Sequence, residues 1–175
     1  MKPILFLTIL ILTTCCSSCE LLFPKSEPQT ELEKLPPITQ EGKNTFGCLV
    51  NGEALFNTNS MEMHAIYEGG FIQFGSGKKD GSTNRYVTFV LLDPLSTIEE
   101  YSLINLPFHR AMFRNSVNEN TCWYEYDDTY EGTLTFSKID RINYIISGTF
   151  EFSTVTQGCD TIRITEGRFD MQYTP

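Results

Sequence analysis

The chain has 175 residues, of which 41% are hydrophobic, 20% charged and 13% aromatic, with a formal charge of −9 and a sequence pI of about 4.7. That is apolar material enough for one globular core plus a short extra segment. The acidic balance excludes nucleic acid and anionic lipid headgroups as partners of the protein as a whole, because the summed field repels them.

The chain opens on the layout of an export signal. Lys2 is a lone positive charge, and Ile4 to Leu12 ("ILFLTILIL") is an almost wholly apolar run, too short to span a bilayer as a mature helix. Three cysteines follow within five residues in "TTCCSSCELLFPK". A zinc site needs ligands on a folded scaffold with a further pair elsewhere, and a disulfide beside a signal peptide has no fold to staple. A cysteine directly after such a run is instead where a bacterial lipoprotein is cut and where the thiol receives a diacylglycerol. Cys19 is the expected attachment site, because the small residues Ser17 and Ser18 precede it and Glu20 begins the polar region. Cys15 and Cys16 are the alternatives, and Cys16 takes the place, three before Cys19, where an aliphatic residue is usual. Cutting there removes 18 residues and one lysine from the 175-residue chain, leaving 157 residues at −10. More than one acyl chain on a single cysteine anchors a protein durably, where one chain does not.

Residues 20–45 read as a flexible linker. Four of the eight prolines fall here, Pro24, Pro28, Pro36 and Pro37, mixed with Glu, Lys, Ser, Gln and Thr. Proline fixes φ and donates no hydrogen bond, so neither helix nor ladder propagates. A helix over "TELEKL" is marginal at that length. A free chain of this length spans roughly 30 Å, enough to lift a domain off the membrane.

From Phe46 onward lie 20 of the 22 aromatic residues. Apolar residues recur with period 2 between Gly, Asn, Asp and Pro, which predicts an all-β domain over residues 46–175, an antiparallel β-sandwich or small β-barrel. "FGCLVN" places Phe46, Cys48 and Val50 on one face, and Asn51-Gly52 predicts a tight hairpin into "EALFN". "MEMHAIY" puts Met61, Met63, Ala65 and Tyr67 together, and "EGG" turns it into "FIQFG". "RYVTFVLL" is apolar on both faces and predicts a central strand covered on both sides. "YSLINL", "AMFRN", "CWYEY" and "GTLTFSKID" are further candidates. In "INYIISGTFEFS", Tyr144, Ile146, Gly148, Phe150 and Phe152 share a face. "DTIRITEGRFDMQY" pairs with it, but its apolar parity switches from even to odd near Glu166-Gly167, which predicts a β-bulge at residues 165–168.

The stretches "TELEKLPPITQEGKNTFGCLVNGEALF" and "IISGTFEFS…DTIRITEGRFDMQY" resemble a Bacteroidetes family of uncharacterised exported lipoproteins, over residues 30–56 and 132–173. The resemblance implies an exported, lipid-anchored β domain and brings no activity with it.

Candidate chemistry is sparse. His64 and His109 stand 45 residues apart with no further ligand at metal spacing, which reads as surface or hydrogen-bonded histidines rather than a metal site. "GSGKKDGSTN" (75–84) lacks the G-x-x-x-x-G-K-[ST] order and is not followed by a helix, so it reads as a mobile hairpin loop. "EYDDTYEG" (125–132) gathers four carboxylates without the order of a calcium loop and reads as a solvated acidic turn. Tyr124, Tyr126 and Tyr130 are candidates for stacking on sugar rings, with packing as the commoner fate. No catalytic, metal-ligating or cofactor-binding residues are singled out, and no G-x-S-x-G elbow occurs.

Cys48, Cys122 and Cys159 remain in the exported domain, where a reachable pair is usually joined. Cys48 reads as a buried apolar thiol, while Cys122 and Cys159 sit at strand ends, so the expected disulfide is Cys122–Cys159. The alternative is three unpaired thiols. The functional expectation is a monomeric, lipid-anchored module of the outer or another cell-envelope membrane, held by its acyl chains, with the periplasmic or surface side open. Such a module binds a protein, a glycan or a small ligand. The alternatives are a small carboxylate-dependent hydrolase, or a β-barrel carrying an apolar ligand.

Overall fold

The structure, a computed structural model, describes residues 29–92, 94, 100–104, 107–118 and 120–175. The export signal and Cys15, Cys16 and Cys19 lie outside the described residues. The strands are β1 (Thr45–Val50), β2 (Glu53–Asn57), β3 (Met63–Glu68), β4 (Phe71–Asp80), β5 (Thr83–Leu92), β6 (Glu100–Ser102), β7 (His109–Val117), β8 (Asn120–Tyr124), β9 (Thr129–Asp140), β10 (Ile145–Thr154) and β11 (Ile162–Gln172). They form a six-stranded sheet, β2-β1-β11-β10-β9-β6, and a five-stranded sheet, β3-β4-β5-β7-β8. Neighbouring strands within each sheet run antiparallel. The two sheets pack face to face as a sandwich and do not close into a barrel.

Local sequence explains the turns. Asn51 and Gly52 both have positive φ, 49° and 86°, the requirement of the hairpin turn that their pairing predicts. The bulge falls where the parity switches: Phe150 opposes Gly167 while Phe152 opposes Ile164, leaving one extra residue on β11, and Glu166 adopts φ 55°. Ile162, Ile164, Phe169 and Met171 therefore all face inward.

Phenylalanines fill the interior. Phe74 meets Phe169 at 4.7 Å between ring centroids, Phe89 meets Phe150 at 4.8 Å, and Phe46 meets Phe150 at 5.2 Å. These rings need room, and glycine opposite them supplies it. Gly148 pairs with Phe169 and Gly167 with Phe150. A Cβ on Gly148 would lie 2.7 Å from the Phe169 ring, and one on Gly167 would lie 2.4 Å from the Phe150 ring. With two open sheets around a core packed by aromatic rings, the barrel alternative is overturned.

Other expectations need correction. β5 is central, but it is covered on one side: Val87, Phe89 and Leu91 are fully buried, while Tyr86, Thr88, Val90 and Leu92 are only partly so. Tyr144 lies in the turn before β10 with φ 55° and is 43% exposed, and Met61 is 88% exposed in the turn before β3. Residues 75–84 are not a loop. The strands β4 and β5 pair as far as Asp80 and Thr83, so only Gly81 and Ser82 turn.

The described part of the expected linker is also ordered onto the domain. Leu35 is 7% exposed, and Pro36 lies against Gly47 of β1. The Ala54 N–H of β2 donates to Glu31 Oε2, and Lys138 Nζ of β9 donates to the Gln40 carbonyl. The strap thus crosses the outer face of the six-stranded sheet. Its fastening is Asp170 on β11, 1% exposed. This carboxylate accepts bonds from Thr39 Oγ1 (2.6 Å), the N–H groups of Glu41 (3.1 Å), Gly42 (2.7 Å) and Lys43 (3.2 Å), and Ser147 Oγ (2.8 Å). At the far end of β11, Thr174 pairs with the edge strand β3, joining the two sheets through Tyr67 N–H to Thr174 O and Thr174 N–H to Ala65 O.

Candidate functional site

The apolar interior gives way to charge at one end of the sandwich. Across the inner face of the five-stranded sheet, Ser76, Val87, Phe113 and Tyr124 stand in register as one row, and the next row outward is Lys78, Arg85, Asn115 and Cys122. The strands keep their period-2 alternation past the end of the hydrophobic core, so the side chains that would face the core instead face a cleft. From the other sheet come Val50, Glu53 and Ile162, with Asp160 from the β10–β11 loop. The cleft has a volume of about 530 Å³.

One contact ties the two walls together. Arg85 Nη1 donates to Glu53 Oε2 at 3.0 Å across the sheets, with the arginine side chain 15% exposed and the glutamate 68% exposed. Asn51 closes the corner: its Nδ2 donates to the Thr161 carbonyl at 3.1 Å, and the Arg163 N–H donates to its Oδ1 at 2.7 Å. The side-chain oxygen of Asn115 is buried and has no hydrogen-bond partner among the described residues. Lys78, Arg85 and Asn115 offer donors, and Glu53, Asp80 and Asp160 offer acceptors. That inventory suits a ligand rich in hydroxyl or amide groups.

The expected disulfide forms the rim. Cys122 and Cys159 are bonded, with Cα atoms 6.0 Å apart, which joins edge strand β8 of one sheet to the β10–β11 loop of the other. Cys48 is unpaired and fully buried. Burial pushes its thiol up to about 12, against a smaller opposing pull from the nearby Arg85 charge. It stays neutral at physiological pH.

The other candidates fall apart spatially. His64 is on β3 and His109 on β7, strands that do not adjoin. Burial lowers the pKa of both, and at His109 a hydrogen bond to Ser102 backbone opposes it. Among the described residues, no group of three His, Cys, Asp or Glu side chains is placed to hold a metal ion, and no helix is long and apolar enough to cross a membrane. Tyr124 is 2% exposed and donates to the Asp160 carbonyl, so it is a wall of the cleft and not a stacking platform. Burial raises its pKa, and Asp160 and Asp128 add to that. Tyr130 is 47% exposed on β9, and Tyr126 lies under the Arg110 guanidinium at 4.8 Å.

Sequence reading missed the cleft because its members come from seven separate strands and a loop. The available signal was a polar residue at each inward position near a strand end: Lys78 after Phe74, Arg85 before Val87, and Asn115 after Phe113. No protein-family model, curated protein or solved structure matches the chain.

Proposed function

We propose that this chain is a lipid-anchored lipoprotein of the cell envelope, tied to the membrane by acyl chains on Cys19 and akin to the exported Bacteroidetes lipoproteins it resembles. Its sandwich is a non-catalytic binding module with the end cleft as its recognition site. The observation that carries the binding reading is the row Lys78, Arg85 and Asn115, polar side chains set on the inner face of a strongly packed sheet beside a cleft of about 530 Å³. A polar row placed there contributes nothing to the apolar core, whereas a ligand gives its donors and acceptors partners.

The test is an array of glycans and peptides probed with full-length protein. A bound class that is lost in both Arg85→Met and Asn115→Ala supports the cleft, and an array on which no bound class is lost in these variants contradicts it. A second reading, a small hydrolase, draws on the three carboxylates Glu53, Asp80 and Asp160 around the same cleft. It requires turnover that Glu53→Gln, Asp80→Asn or Asp160→Asn abolishes.

A further inference from the structure

The outer faces of the two sheets differ. The strap covers the six-stranded sheet, as the contacts of Glu31, Pro36 and Gln40 show. The outer face of the five-stranded sheet carries no such cover among the described residues, and its surface is aromatic and cationic. One transverse row there is Gly77, Tyr86, Arg114 and Trp123, each in register with the next. Trp123 is 54% exposed. Beside this row lies an apolar pocket of about 220 Å³, lined by Tyr86, Thr88, Met112, Arg114 and Trp123, with Glu125 at its rim.

Arg114 is held in a defined pose. Its guanidinium lies 4.5 Å over the Trp123 ring and its Nε donates to Ser116 Oγ at 3.2 Å. No carboxylate stands within ion-pair distance of it among the described residues. Arg110, on the same strand, is likewise stacked, on Tyr126, with its Nε donating to the Pro107 carbonyl and no carboxylate paired to it among the described residues. The two lie about 13 Å apart along the strand. The charge census of this face runs against the whole molecule. Acids outnumber bases 22 to 13 in the chain, yet the charged side chains projecting outward from these strands are Lys79, Arg110 and Arg114 against Glu68, and with Glu125 at the pocket rim cations still lead three to two.

We propose that the outer face of the five-stranded sheet, centred on Tyr86, Arg114 and Trp123, binds the carboxylated sugar rings of an acidic polysaccharide. A uronate ring carries an apolar C–H face and a carboxylate in one rigid unit. The ring face fills the apolar pocket against the aromatic side chains. The carboxylate takes the two Nη groups of Arg114, a bidentate geometry that stacking on Trp123 has already fixed. A pre-oriented arginine loses little freedom on binding, which favours affinity. Arg110 is placed to meet a second carboxylate further along the same polymer.

Trp123 is the only tryptophan in the chain, so tryptophan emission of the full-length protein in mild detergent reports on this face alone. The probes are galacturonate and glucuronate oligomers, the methyl esters of both, and inorganic phosphate. The expected result is a saturable emission change with an acidic oligomer and none with its ester or with phosphate. Arg114→Lys, which keeps the charge and loses the fork, weakens binding about tenfold, and Arg110→Lys weakens it less. Arg85→Met, in the end cleft, leaves it unchanged, which separates this face from the cleft. Circular dichroism confirms that each variant is folded, and if Arg114→Lys is not, Arg110→Lys alone decides. No saturable change with either acid, an equal response to the esters, a preference for phosphate, or full affinity in a folded arginine variant would overturn the proposal.

Discussion

Asp170 shows how one residue fixes the course of a segment. Burial raises its pKa, and the bonds from Thr39, Ser147, Gly42 and Glu41 outweigh burial and bring it to about 2. The folded pKa lies below the unfolded one, so the bonded carboxylate stabilises the fold above about pH 4 and ceases to as pH falls through about 2, a contribution of roughly 2 kcal/mol. Acid titration of wild type against Asp170→Asn should therefore show a stability gap at neutral pH that narrows to nothing near pH 2. At neutral pH the variant should lose about 2–3 kcal/mol and should expose residues 39–43 to hydrogen exchange. A gap that does not depend on pH would contradict this assignment. The aspartate's role was not legible in the sequence, because its partners lie up to 131 residues away and "RFDMQY" reads as plain alternation. The bulge two turns of pleat earlier was legible, because an extra residue shifts the parity of every apolar side chain after it. Glu166 there holds φ 55°, which a β-branched side chain tolerates poorly. Glu166→Val should cost about 1–2 kcal/mol while Glu166→Gly stays within about 0.5 kcal/mol of wild type in urea unfolding.

At the scale of elements, strand positions near the core were readable and their outer surroundings were not. "RYVTFVLL" is apolar on both faces, and that invites a doubly covered strand. Its second face instead forms the uncovered surface around Tyr86, Thr88 and Val90. Periodicity tells which residues are apolar, not which of two faces another layer will cover. The disulfide was predictable for a simpler reason: Cys122 and Cys159 sit where a strand begins and a loop ends, and Cys48 alternates with Phe46 and Val50. The bond closes a loop with a sequence separation of 37. On the chain-entropy model, Cys122→Ser with Cys159→Ser should lower stability by about 3–4 kcal/mol. Equal unfolding midpoints with and without reductant would contradict that.

For the whole molecule, the strap bears on the membrane attachment proposed above. Residues 29–44 run over the six-stranded sheet and are fastened at Asp170, so with the proposed anchor the free spacer is shorter than the proline-rich composition suggests. The prolines that argued for a free chain do not prevent packing, since Pro36 needs no hydrogen bond where it rests on Gly47. The strap covers neither of the two proposed binding surfaces, the end cleft and the outer face of the five-stranded sheet. All of this depends on the anchor. Mass spectrometry of the N-terminal peptide of the mature protein, isolated from membranes, tests it most directly. A peptide that begins at Cys19 and carries the mass of a diacylglyceryl group plus an N-acyl chain is the predicted result. An unmodified N-terminus, or lipid on Cys15 or Cys16 instead, would contradict it.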